Sequence, residues 1–270
     1  MYRKVSGPEL DKTKNRLSSQ EERTDDKLII SGVYNNTKED SRAIEGTFLA
    51  VIDLKEMKVV TETYSPIAKE IAEKLNYKIT KEIPDAKSVV FMSDHLISNN
   101  QDYYLVADYR TEFLHYGMDG RGLIQSHDKE IIVSKFSNAG KCEWTRVIPR
   151  FTKSLGDKNP RENCGSYDMI FENNKLSFIY LEDPDNSAAH LTDQNYDPAK
   201  PRMISDAYKA NATCTTIDED GDYATKVLFK NPESEGWVYV PRGHNIKRNG
   251  TYLISYFEGG KVSYGTITTK

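Results

Sequence analysis

Ile131-Ile-Val-Ser-Lys-Phe136 and Cys142-Glu-Trp-Thr-Arg-Val147, with the turn residues 137–141 between them, decide the fold of this chain. Two runs rich in β-branched and aromatic residues flank a short Asn- and Gly-containing connection, which is the pattern of a β-hairpin. Three further segments repeat it. Phe48-Leu-Ala-Val-Ile-Asp53 is followed by Val59-Val-Thr-Glu-Thr-Tyr64, and Ala212-Thr-Cys-Thr-Thr-Ile217 by Tyr223-Ala-Thr-Lys-Val-Leu228. Tyr252-Leu-Ile-Ser-Tyr-Phe257 is followed by Val262-Ser-Tyr-Gly-Thr-Ile267. Recurrence at this spacing marks a repeat architecture, stacked or radial.

Reading outward from each hairpin extends the repeat to four strands, A to D. A Gly/Asn turn joins A to B, a long polar loop joins B to C, and the hairpin is C–D. Ser88-Val-Val-Phe-Met92 and Tyr103-Tyr-Leu-Val-Ala-Asp108 supply A and B of the second unit. Tyr167-Asp-Met-Ile-Phe171 and Leu176-Ser-Phe-Ile-Tyr-Leu181, joined at Asn173-Asn174, supply those of the third. Trp237-Val-Tyr-Val240 and Thr251–Phe257, joined at Asn249-Gly250, supply those of the fourth. The first unit has Leu28-Ile-Ile-Ser-Gly-Val-Tyr34 as B and no clear A strand, and the fourth lacks one strand. The expected fold is therefore all-β: β-propeller-like repeated four-stranded antiparallel units, open or incomplete, with one helical decoration. Paired sheets packed as a sandwich are the structural alternative. The helix is expected at Ser65-Pro-Ile-Ala-Lys-Glu-Ile-Ala-Glu-Lys-Leu75, with Ser65 as cap, Pro66 in the first turn and Ile67, Ile71, Ala72 and Leu75 on one face. Residues 1–26, charged and without apolar periodicity, read as a mobile arm, and residues 27–270 as the propeller-like domain.

Composition narrows the function classes. The 270 residues are 37% hydrophobic, and the 17 tyrosines suit half-buried strands. A net charge of -4 and a pI near 5.8 leave no general basic face, so nucleic acid is not expected as a partner. No run reaches the ~20 apolar residues of a membrane-spanning helix. Met1-Tyr-Arg-Lys-Val-Ser-Gly-Pro8 has no apolar segment after its basic residues and is not a signal peptide. The expected location is the cytoplasm, or the cell envelope if the N-terminus is truncated. Cys142, Cys164 and Cys214 form no disulfide framework or metal knuckle.

The strand and loop text resembles an uncharacterised family of β-propeller-like proteins from Bacteroidota. The resemblance covers most of residues 27–268. It rests on Leu28-Ile-Ile-Ser-Gly-Val-Tyr-Asn-Asn36 with Gly46-Thr-Phe-Leu-Ala-Val-Ile-Asp53, on Glu130 through Pro149, and on Phe178-Ile-Tyr-Leu-Glu-Asp-Pro-Asp-Asn186. It implies a longer, exported protein with no established activity, and it gives no residue a catalytic role.

Each motif with chemical potential has a plainer reading beside it. Asp218-Glu-Asp-Gly-Asp222 resembles part of a calcium loop, but the later bidentate Glu is absent and the segment sits at a C–D turn. His95, His115, His127, His190 and His244 show no HxH or HExxH spacing, so no metal is expected. His115 and His127 flank Gly117-Met-Asp-Gly-Arg-Gly122, which precedes a strand rather than a helix and reads as a flexible loop, not a phosphate cradle. No GxSxG is present. The acids at Glu182-Asp-Pro-Asp185 suggest glycoside hydrolysis, although Pro184 and Asn186 mark a loop. No catalytic residue and no cofactor is assigned. The B–C loops begin at Asn35, Arg110 and Asp183, so Asn35, Asn36, Arg110, His115, Glu182, Asp183 and Asn186 are the candidate ligand-binding residues, expected on one rim. Three functions follow. The first is a non-catalytic binding or interaction module with an unknown ligand or protein partner. The second is a hydrolase or lyase that acts on a glycan through acidic and histidine side chains. The third is a structural subunit with an apolar exposed edge at residues 28–34 or 262–268.

Overall fold

A computed structural model describes residues 15–23, 26–35, 44–69, 88–99, 102–116, 122–155, 164–186, 202–230, 237–239, 241, 247–248, 251–258 and 261–268. The architecture is all-β, built of antiparallel sheets that follow the expected units. The first sheet has the order β1 (Asn15–Arg23), β2 (Lys27–Asn35), β3 (Gly46–Asp53), β4 (Lys58–Pro66). The second runs β5 (Ser88–Ser98), β6 (Asp102–Tyr116), β7 (Gly122–Ser137), β8 (Cys142–Ile148), and β9 (Thr152–Leu155) adds to β7. The third runs β10 (Tyr167–Glu172), β11 (Lys175–Glu182), β12 (Asn211–Ile217), β13 (Tyr223–Lys230). In the fourth, β14 (Trp237–Tyr239) and β15 (Lys247–Arg248) both pair with β16 (Thr251–Glu258), which also pairs with β17 (Lys261–Thr268).

Two expectations are corrected and a third is refined. Part of the supposed charged arm, Asn15–Arg23, is strand β1, paired from Asn15↔Asn35 to Arg23↔Leu28. It supplies the A strand that the first unit lacked. A strand at the edge of a sheet tolerates charge, and charge there discourages edge-to-edge association, so its polar text hid it. Ser65 and Pro66 complete β4, opposite Thr47 and Gly46, instead of capping a helix. The last strand position leaves the missing Pro N–H without consequence for the ladder. Lys69 is helical, and the rest of the expected helix lies outside the described residues. In the fourth sheet Trp237 and Tyr239 pair with Glu258 and Tyr256, at the far end of β16, while β15 pairs beside residues 249–250, which are outside the described residues.

Burial follows strand position. The third strand of the first sheet, β3, is buried on both faces from Gly46 to Ile52, matching its unbroken apolar text. β12 is buried at six of seven positions, whereas the outer strands β4 and β13 have no buried position. The turns match their residues. Asn173 and Asn174 have φ of 52° and 57°, the double left-handed conformation of a tight two-residue hairpin turn that Asn tolerates. Asp53 Oδ1 accepts the amides of Lys55 and Glu56, which hold its carboxyl below the usual range. Asp218 Oδ1 likewise accepts those of Asp220 and Asp222, and Gly221 turns back at φ 83°. The acidic segment 218–222 is thus a turn that uses its own carboxylate to cap its own amides.

The chain forms two compact units. The first holds residues 1–109 and 131–147. Its core is Val33, Ile44, Ile67, Ala107, Tyr109 and Ile132 in one cluster and Ile29, Leu49, Val51, Tyr103, Leu105 and Phe136 in another. Lys135, almost fully buried there, meets Asp102 at 3.1 Å and Glu143 at 2.8 Å. Burial opposes its charge, but the two carboxylates outweigh burial and raise its pKa. The second unit holds residues 110–130 and 148–270, with a core of Cys164, Ile170, Ile179, Leu181, Ile204, Ala212, Tyr239 and neighbours.

Gly140, at φ 81° in the β7–β8 turn, lies against Thr61 so closely that a Cβ would overlap Thr61 Cγ2. Gly140→Ala is expected to destabilise the protein by about 2–4 kcal/mol, from left-handed strain together with the overlap. Thr61→Ser should recover the steric part and leave the backbone part, read from urea unfolding midpoints of the single and double variants.

Candidate functional site

The expected candidates separate. Asn35 ends β2, fully buried, in the first unit. Asn36 lies outside the described residues. Arg110 and His115 are not at the start of a loop, as expected, but within β6, which continues to Tyr116. The physical reason is that Tyr109, Thr111, Phe113 and Tyr116 keep strand propensity through the charges. Cross-strand bonds to β7 also hold the extension, since Thr111 Oγ1 donates to His127 O at 3.5 Å. Glu182 ends β11 opposite Asn211 and is buried. Asp183 Oδ1 accepts Asp185 N at 2.9 Å, a local turn bond. Asn186 donates from Nδ2 to Arg202 O at 2.8 Å and accepts Arg202 N at Oδ1 at 2.9 Å. Its side chain thus imitates a strand partner, and Arg202 pairs in turn with Asp185. Asn186 clamps the two ends of the β11–β12 connection and has a structural task.

Chemistry in the second unit gathers on the stretch of β7 that precedes its apolar run. Asp128, Lys129 and Glu130 are each no more than 2% exposed. Alternation puts Ser126, Asp128 and Glu130 on one face and Gln125, His127 and Lys129 on the other. The contacts agree. On the second face Gln125 Nε2 meets His127 Nε2 at 2.6 Å, the His127 ring stands edge-on to Phe151, and Lys129 Nζ lies 5.3 Å from the centre of the same ring. On the first face Arg110 Nε donates to Asp128 Oδ1 at 2.5 Å, and Ser126 Oγ donates to Asp128 Oδ2 at 3.3 Å. Asp128 is 1% exposed and Arg110 30%, so the guanidinium is the side of this ion pair that reaches solvent. A carboxylate so far from water costs several kcal/mol unless an opposite charge and hydrogen bonds meet it, and here both do.

Around this face runs a second layer. β9 lies along β7, with Asp128 opposite Thr152 and Ser126 opposite Ser154. Arg150, 1% exposed, donates from Nε to Lys129 O at 3.0 Å and from Nη1 to Gly165 O at 2.5 Å, and its guanidinium lies 5.2 Å from the Tyr167 ring centre. Arginine suits this place because its planar fork serves two carbonyls and an aromatic face at once. Further along, Tyr239 Oη donates to Asp168 Oδ2 at 2.6 Å, and both are buried. Burial first, then the Asp168 charge, pushes the Tyr239 hydroxyl well above its ordinary pKa. Among the described residues no group of three or more His, Cys, Asp or Glu is placed to hold a metal ion. Cys142, Cys164 and Cys214 are free thiols, and burial raises the pKa of Cys214.

Sequence reading missed Asp128, Glu130, Arg150 and Asp168. For Asp128 and Glu130 the one signal was the charged triplet at 128–130 set directly against Ile131-Ile-Val133, because charges inside a strand that continues into a core are costly without a use.

No family model and no curated protein matches this chain. Among solved structures it is similar to the levansucrase of Gluconacetobacter diazotrophicus, with 10% identity, a TM-score of 0.34, and coverage of 97% of this chain and 63% of that one. It is also similar to a glycosyl hydrolase from Bacteroides ovatus (7% identity, TM-score 0.26, 94% and 84% covered). A third is the levansucrase of Bacillus subtilis (7% identity, TM-score 0.28, 94% and 68% covered). The chain thus spans less than two thirds of the first of these proteins. Likeness at this level assigns no activity.

Tyr239→Phe leaves Asp168 buried without its hydroxyl donor and is expected to cost about 1–3 kcal/mol. A raised pKa favours the protonated fold. The stability that Tyr239 contributes is therefore complete below the ordinary tyrosine value of 10.0 and is lost as pH rises from there toward the folded-state value. Unfolding measured between neutral and alkaline pH should show the wild type losing its advantage over Tyr239→Phe only in the alkaline range.

Proposed function

We propose that this chain is a glycan-acting hydrolase that works through the paired carboxylates of β7, Asp128 and Glu130. The observation that carries the reading is two acids buried on one face of one strand, with Arg110 bonded to the first. Residues two apart in a strand lie about 6.7 Å apart along it. As an acid and a base flanking a water, their carboxyl groups would stand about 6.5–9.5 Å apart. Asp128, with Arg110 bonded to it, takes the part of the base and Glu130 that of the acid. The proposal rests on these side chains and not on the similarity to levansucrases.

Non-catalytic binding is the second reading. It is favoured by the exposure of Arg110 beside carboxylates that are themselves closed from solvent.

Reducing-end release from a panel of polysaccharides and aryl glycosides tests the first reading. The wild type is expected to hydrolyse at least one substrate, with inversion at the anomeric carbon by proton NMR. Asp128→Asn and Glu130→Gln, checked for folding by circular dichroism, should each lower kcat by about 10²–10⁴-fold. Binding by calorimetry with no hydrolysis in any substrate would replace this reading with the second.

A further inference from the structure

Both oxygens of Asp128 are covered, and one backbone segment contributes to the cover. Residues 164–166 connect a buried cysteine, Cys164, to the start of β10 and pass directly over the Asp128 carboxylate. The residue at the crossing is Gly165. A Cβ there would overlap Asp128 Oδ2 and come within 2.6 Å of Ser154 Oγ, so a larger residue would have to push the carboxylate or the hydroxyl aside. Two side chains hold the crossing in place. Gly165 N donates to Ser154 Oγ at 2.9 Å, and Gly165 O accepts from Arg150 Nη1 at 2.5 Å. Arg150 is itself tied to the carbonyl of Lys129, the residue after Asp128. Gly165 is therefore bound on one side to β9 and on the other, through Arg150, to β7, with Asp128 beneath it.

We propose that Gly165, held by Ser154 and Arg150, is a latch that positions the Asp128 carboxylate against Arg110 and closes it from solvent, and that release of residues 164–166 admits a substrate to it. Its functional meaning rests on the carboxylate reading above. The geometry explains how a carboxylate that is 1% exposed serves a ligand from outside. It also identifies the weaker fastening. The Ser154 bond is neutral, and Ser154 is only partly buried, whereas the Arg150 bond is charge-assisted and fully buried. Opening is expected to start at Ser154.

The test does not require activity. The folded protein is treated with a water-soluble carbodiimide and an amine, and labelling of each carboxylate is followed by peptide mass spectrometry. Asp128 in the wild type should label slowly. Ser154→Ala should speed its labelling by about tenfold, the scale set by loss of one hydrogen bond to an enclosed amide. Ser154→Thr, which keeps the hydroxyl, should restore the slow rate, and Asp53, in an exposed turn, should label equally in all three. An unchanged Asp128 rate in Ser154→Ala would overturn the latch. If Ser154→Ala does not fold, hydrogen exchange of the wild type decides. A Gly165 amide that exchanges faster than those of Ile170 and Ile179 supports local opening, and equal rates overturn it. Absent glycan hydrolysis bears only on the catalytic reading, and unchanged labelling bears only on the latch.

Discussion

The pairing of Arg110 with Asp128 is the constraint around which the second unit is arranged. A carboxylate at this depth is tolerated only with a counter-charge and with its remaining lone pairs met. The surrounding sequence supplies both. β6 continues past its apolar half to bring Arg110 opposite, Ser126 sits two residues back on the same face, and Gly165 closes the top. Arg150 then ties the covering segment to the strand that carries the acid. Each of these residues makes sense as a response to one buried charge.

Several buried hydroxyls are met differently, by bonding to one another. In the first unit Thr47, Ser134 and Thr145 form a chain with 2.9 Å and 2.8 Å links. In the second, Tyr180, Thr215 and Thr225 form another with 3.0 Å and 2.9 Å links. Ser134–Thr145 and Thr215–Thr225 occupy the same place in their sheets, between the third and fourth strands. Threonine serves there because it suits a strand and carries a group that both donates and accepts. The repeat seen in the text is thus also a repeat of polar satisfaction.

Strand positions and turns were legible because they depend on local chemistry. β-Branched runs, the Asn173-Asn174 turn and the self-capping Asp218 turn follow from side-chain shape and backbone preference over a few residues. Two local readings failed for a common reason. The polar text of Asn15–Arg23 and of Arg110–Tyr116 looked like an arm and a loop, yet both are strands, since a strand is stabilised by a partner whose identity lies elsewhere in the chain. The candidate residues fared likewise. Asn186 was noticed for its loop setting, and its role as a clamp on Arg202 depends on a segment sixteen residues away.

By itself, the sequence determined that this protein is all-β, that its strands come in units of four, and where most turns fall. Period, propensity and turn residues act over short distances, and the text records them directly. Only the tertiary structure decided that Asp128 meets Arg110, that Gly165 crosses above it, and that Tyr239 reaches Asp168 from seventy-one residues away. Those contacts arise from how strands are paired and sheets are placed, and the free energy of a buried charge depends on every group brought to it, not on its neighbours in sequence.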